Sequence, residues 1–149
     1  MLNKLLNNKF LLLSIRIFFG FIFIFAAVTK VADPEGFSQS VYNYKLMSDF
    51  FINILAIAFP WIESVAGILL VFGISVKENS AILSGLLVVF IIAITISLAR
   101  DLDIDCGCFG TVDGSKVGLK KILENIGLLL LGLILIKYNS KYFTISKPD

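Results

Sequence analysis

Apolar residues run almost unbroken through four stretches of the chain, separated by short polar segments. The first run, residues 10–28, is preceded by Lys4 and Lys9 and closed by Lys30. At ~1.5 Å rise per residue, a helix of that length crosses a hydrocarbon core of ~30 Å. The second run covers residues 50–72, with Pro60, Trp61 and Glu63 near its middle. Proline there removes a backbone donor and can kink the helix. The third covers residues 81–99 and ends at Arg100, and the fourth covers 117–136 and ends at Lys137. This pattern predicts an all-α fold, a four-helix transmembrane bundle forming one domain over residues 1–149 and dividing into two helical hairpins. Basic residues before the first run also fit a cleaved signal peptide. Its length and the interruption at Arg16 favour a retained span. Gly118, Gly127 and Gly132 in the fourth run offer places for a neighbouring helix to approach. The tail 138–149 is polar and reads as frayed.

Between the first two runs the pattern changes. Asp33-Pro34-Glu35 reads as an N-cap, a proline at the first helical position and an acid on the helix dipole. Phe37, Val41 and Tyr44 then fall at i, i+4 and i+7. With Tyr42 and Tyr44 suited to a membrane–water boundary, the segment predicts a short interfacial helix between spans one and two. A solvated loop is the alternative.

Composition agrees with the bilayer reading. Hydrophobic residues make up 58% of the chain and charged residues only 16%. Mean hydropathy is +0.93. A soluble domain of 149 residues lacks the interior to hide that much apolar surface. The net charge of +2 gives no footprint for nucleic acid, and the membrane lipid itself is the first partner. There is no histidine, which removes the commonest general base and metal ligand.

Orientation rests on weaker signals. Four spans put both termini on one side. Lys4, Lys9, Lys77, Lys137, Lys141 and Lys147 share that side, while Lys30, Lys45, Arg100, Lys116, Lys120 and Lys121 lie on the other. The positive-inside count is therefore even. Most acids, including Asp101, Asp103 and Asp105, fall on the second side, which also carries both cysteines. Thiol pairs oxidise most readily outside the cytoplasm. The expected arrangement is a multi-pass protein of the bacterial inner membrane, with cytoplasmic termini and an exocytoplasmic cysteine loop.

That loop runs Arg100-Asp101-Leu102-Asp103-Ile104-Asp105-Cys106-Gly107-Cys108-Phe109-Gly110. A Cys106–Cys108 disulfide would enclose one intervening residue, and loop-closure stabilisation shrinks with the loop. So small a ring is also expected to be strained and easily reduced. Gly107 and Gly110 supply the backbone freedom a tight turn needs. A bond that stabilises little and exchanges readily suits redox work. Other readings stay open. The cysteines could be inert, although inert cysteines are usually buried and this turn is polar. They could bind copper(I), but zinc wants four ligands and this chain offers two sulfurs. Asp101, Asp103 and Asp105 have the spacing that opens a calcium loop, yet Cys106 stands where glycine is required and Val112 where glutamate belongs. The three aspartates also oppose thiolate formation unless Arg100, Lys116, Lys120 and Lys121 fold over the turn.

Charges within the spans form a second set of candidates. Arg16 and Glu63 are expected to pair across spans one and two, as a structural ion pair or as a proton or quinone site beside Trp61. Glu124 and Asn125 lie near the start of span four, where Lys120 and Glu124 form an i, i+4 pair. A role for Glu124 in orienting the cysteine loop follows as a hypothesis.

Taken together, these residues resemble the MauE/DoxX family of redox-associated membrane proteins, nearest to its methylamine-utilisation MauE branch. The matching pieces are Arg16 with Lys30, Asp33-Pro34-Glu35-Gly36-Phe37, and Tyr42-Asn43-Tyr44-Lys45-Leu46. They continue with Pro60-Trp61-Ile62-Glu63 and Gly67, then Arg100 leading into Asp105-Cys106-Gly107-Cys108-Phe109-Gly110, and finally Asn125. The resemblance implies a four-helix inner-membrane protein. It also implies an association with maturation of a disulfide-rich periplasmic dehydrogenase, as for MauE, or with thiosulfate and quinone chemistry, as for DoxX relatives. The plan is similar to that of disulfide-generating quinone oxidoreductases, which carry more cysteines. With two cysteines, a two-pair relay needs a partner, for which a thioredoxin-like or other exported thiol protein is expected.

The expected function is thus a membrane component of thiol–disulfide chemistry, a thiol-disulfide oxidoreductase component, with Cys106 and Cys108 as the redox pair. Asp105, Gly107, Phe109, Gly110, Arg100, Glu63, Arg16 and Glu124 are its supporting residues, and a quinone is the candidate cofactor. The alternative is a non-catalytic assembly subunit.

Overall fold

A computed structural model describes residues 8–108, 114, 116–138 and 145. The described residues form five helices: α1 (Lys9–Ala32), α2 (Pro34–Asn43), α3 (Asp49–Val71), α4 (Val76–Ala99) and α5 (Leu119–Lys137). Among the described residues the β structure is one isolated bridge, Asp105 with Lys116.

Local chemistry sets the boundaries. The Asn8 side chain caps α1 by accepting from the Phe10 N–H. Asp33 caps α2 in the predicted way: its carboxylate accepts from the Gly36 N–H at 3.0 Å, with Pro34 at the first position and Glu35 in the first turn. Pro60 lies inside α3, as expected. The fourth apolar run starts its helix at Leu119 rather than Val117, because Val117 donates its N–H to the Ile104 carbonyl and holds the preceding loop.

Among the described residues three helices, α1, α3 and α4, are long and apolar enough to cross a membrane. Their outward faces are apolar: Phe18, Phe21, Phe25, Ile57, Trp61, Val65 and Ile92 are all exposed. Water does not stabilise such a surface, and lipid does. α5 is set apart by Lys120, Lys121 and Glu124 in its first two turns.

The helices pack as two hairpins, α1 on α3 and α4 on α5, joined along α3 and α4. Phe19, Phe23, Ala66, Leu70, Leu83, Leu87 and Leu135 form the central core. The first hairpin closes where Gly20 meets Gly67. A Cβ on either would lie 3.0 Å from the other's carbonyl oxygen, so the two backbones touch. In α5, Gly132 gives close approach as expected, against Ser84 and Phe19. Gly118 and Gly127 do not, because both face open space.

Candidate redox site

One end of the bundle collects the end of α1, the whole of α2, the start of α3, the end of α4, the loop after it and the start of α5. There Cys106 and Cys108 are joined by a disulfide, with Cα atoms 5.4 Å apart. The sequence suggested an exposed polar turn. Instead both cysteines are buried, at 2% and 8% exposure, in a cluster with Phe37, Tyr44, Ala56, Phe90 and Ile94. The cover is α2 with Tyr44 just after it: Phe37, Ser40 and Tyr44 are buried while Glu35 and Gln39 stay outside. The amphipathic spacing that predicted α2 therefore buries its apolar face on the disulfide. The protein surface, not lipid alone, is what that face meets.

Two contacts hold the loop under this cover. The Tyr44 hydroxyl donates to the Cys106 carbonyl oxygen at 2.6 Å. Burial raises the pKa of that hydroxyl above its ordinary value, so it stays protonated and able to donate. Gly107 has φ +67°, and a Cβ there would sit 3.0 Å from the Ser40 Cβ. Both the left-handed backbone and the close approach demand glycine. From α5, the Asn125 side-chain amide lies 3.8 Å from the Cys108 sulfur and also donates to the Lys121 carbonyl at 2.7 Å.

Beneath the disulfide lies an ion pair. Lys30 Nζ stands 2.7 and 2.8 Å from the two Glu63 carboxylate oxygens, and both side chains are sealed from solvent. The ammonium also faces the rings of Phe37 and Phe90, with centroids 5.2 and 5.0 Å away. An enclosed cavity of about 20 Å³ is lined by Glu63, Cys108, Asn125 and Phe90, so the ion pair and the disulfide share one interior.

This corrects the expected pairing of Arg16 with Glu63. Lys30 is not the flank of a span but part of α1, which continues to Ala32. Phe23, Ala26, Ala27 and Lys30 fall at i, i+3, i+4 and i+7 on its buried face. Arg16 is buried on the same helix, about 21 Å further along its axis. The helical stripe of buried positions was the signal that could have identified Lys30. The expected Lys120–Glu124 pair is likewise replaced, by Lys121 with Glu124 at 2.9 Å. Among the described residues Glu124 pairs with Lys121 on its own helix.

Three of the four basic residues, Arg100, Lys116 and Lys120, stay on the surface, while Lys121 is buried. Arg100 is exposed and donates to the Tyr44 carbonyl at 3.4 Å. Lys116 pairs with Asp103 at 2.7 Å on the surface, which raises the lysine pKa, and Lys120 is exposed. Asp105, also exposed, is the loop's half of the bridge to Lys116. Phe109 and Gly110 lie outside the described residues. On the opposite face of α2 is an open groove of about 680 Å³ whose lining includes Ser38, Gln39, Tyr42, Asn53, Ile52 and Ile57. Ala56 borders both this groove and the cysteine cluster.

The family described as Methylamine utilisation protein MauE matches residues 8–138. Methylamine utilization protein MauE of Paracoccus denitrificans is 30% identical over 129 residues, covering 86% of this chain and 69% of that protein. The Methylorubrum extorquens protein of the same name is 31% identical over 131 residues, covering 87% and 70%. That of Methylophilus methylotrophus is 25% identical over 134 residues, covering 89% and 70%. No solved structure matches the chain. The match takes in the apolar helices, the disulfide loop and the residues around it, and the chain is a membrane protein that belongs to the MauE family.

Proposed function

We propose that this protein is a membrane component of thiol–disulfide exchange serving exported proteins, working through Cys106 and Cys108. The observation that carries the reading is the disulfide itself. It links residues only two apart, so it closes a loop too short to stabilise the fold appreciably. Yet side chains from α2, α3, α4 and α5 enclose it. A bond that staples so little fits a reactive role better than a structural one. The names of the relatives, methylamine utilization proteins, support a client within that process.

In this reading the domain crosses the inner membrane four times, with α5 as the fourth span, both termini cytoplasmic and the cysteine loop exocytoplasmic. An exported thioredoxin-like protein or unfolded client supplies the dithiol, which leaves oxidised as the Cys106–Cys108 bond is reduced. Restoring the disulfide needs a two-electron oxidant, and a quinone held by the protein would supply that chemistry. The groove beside α2, with amide and hydroxyl groups at one edge and Ile52 and Ile57 at the other, suits a ring with a polar rim.

Trapping tests the reading. Cys106→Ser and Cys108→Ser variants, acid-quenched in cells and resolved without reductant, are expected to yield a mixed disulfide with an exported protein from one of the two. No such adduct from either would defeat it. The burial of both cysteines favours a second reading, a non-catalytic assembly subunit with a structural turn. That reading requires a double serine variant to keep full function.

A further inference from the structure

The two sulfurs are not equivalent. Resting on the exchange reading, we propose that Cys106 takes the incoming sulfur and Cys108 leaves as the thiolate, a direction set by the Asn125 amide.

In thiol–disulfide exchange the sulfur attacked is the one whose partner departs more easily, and a stabilised thiolate departs faster. Exposure does not rank the pair, since both cysteines are buried. Hydrogen bonding does. The Asn125 Nδ2 is 3.8 Å from the Cys108 sulfur and 2.7 Å from the Lys121 carbonyl oxygen. The second contact fixes which way round the amide sits, because a carbonyl can receive only the NH2 end. One hydrogen is thereby held on the backbone and the other is left for the sulfur. A disulfide sulfur accepts weakly and a thiolate accepts strongly, so the contact tightens as the bond breaks. The polar group reaching Cys106, the Tyr44 hydroxyl, is engaged by its carbonyl oxygen and does nothing for its sulfur.

The electrostatic surroundings support the same direction. Cys108 lines the enclosed cavity that Glu63 also lines, and a bare carboxylate there would repel a thiolate. Lys30 from α1 neutralises it. On α5, Lys121 and Glu124 neutralise each other, and on the loop Asp105 is exposed.

The step balances. An incoming cysteine loses its proton to solvent, and its thiolate forms a bond to the Cys106 sulfur. The Cys106–Cys108 bond breaks and its electron pair stays on Cys108. The incoming sulfur is oxidised and the Cys108 sulfur reduced. A second thiol of the same partner then releases Cys106.

Full-length oxidised protein in nanodiscs, exposed briefly to glutathione, acid-quenched, alkylated and peptide-mapped, reads the direction. Glutathione is expected on Cys106 and the alkyl group on Cys108, in roughly ten- to hundredfold excess over the reverse, the equivalent of one hydrogen bond to a charged group. Asn125→Leu should bring the ratio towards one, and Asn125→Gln should restore part of it. The wild-type ratio stands without either variant. Glutathione on Cys108, an even split, or no adduct on either cysteine overturns the proposal. Because glutathione replaces the biological partner, this result is separate from the cellular trapping experiment. A clear Cys106 preference with no exported adduct would sink the proposed function alone, and an exported adduct trapped on Cys108 would sink the direction alone.

Discussion

Lys30 and Glu63 meet end to end across α1 and α3, Nζ lying within 2.8 Å of both carboxylate oxygens and neither side chain reaching solvent. Losing one partner strands the other charge in the interior. Lys30→Met is therefore expected to destabilise the protein by about 3–5 kcal/mol. The double variant Lys30→Met with Glu63→Gln should recover most of that, since two neutral side chains leave no stranded charge. Thermal unfolding in detergent compares the two, and equal losses would show that the charges are not coupled.

The Tyr44 hydroxyl fastens the disulfide loop to α2. Tyr44→Phe removes that bond and leaves the Cys106 carbonyl buried without its donor, at a cost of about 1–3 kcal/mol. Reduction of the disulfide by a small thiol should accelerate as the loop loosens. The wild type should show a pH limit. Burial raises the folded pKa of the phenol above 10.0, so its contribution is complete below that pH and is lost as pH climbs past it. The phenylalanine variant should lack this alkaline component when stability is followed against pH.

Gly107→Ala carries two penalties. The left-handed backbone disfavours any Cβ by about 1–2 kcal/mol, and the Ser40 Cβ stands 3.0 Å from where it would go. Pairing it with Ser40→Gly should remove the second penalty and leave the first. Denaturation of the single and double variants separates them.

Glu124→Gln should leave thiol reactivity within about twofold of wild type, because the carboxylate is part-exposed and bonded to Lys121 on its own helix. A larger change in alkylation rate would restore Glu124 to a role in the loop.

Periodicity carried the helices well. Long apolar runs leave few alternatives, and Asp33-Pro34-Glu35 gave the start of α2 to the residue. What a one-dimensional pattern lacks is which polar residues meet across helices. Lys30 looked like the close of a span because the apolar run stops at Val28, although α1 winds on to Ala32. Its pairing with Glu63 depends on the tilt and depth of two helices about which local sequence is silent. The burial of Cys106 and Cys108 was hidden for the same reason: a loop rich in aspartate reads as solvated until α2 is laid over it. Asn125 was noticed as part of a family resemblance, but its approach to sulfur comes from a helix seventeen residues beyond Cys108.

The ten residues of α2 form a partition with a chamber on each side, sulfur on one and an open groove on the other. A molecule lodging in the groove presses on the same wall that shuts off the cysteines. Any molecule that reaches the sulfurs from the groove side has to pass that wall.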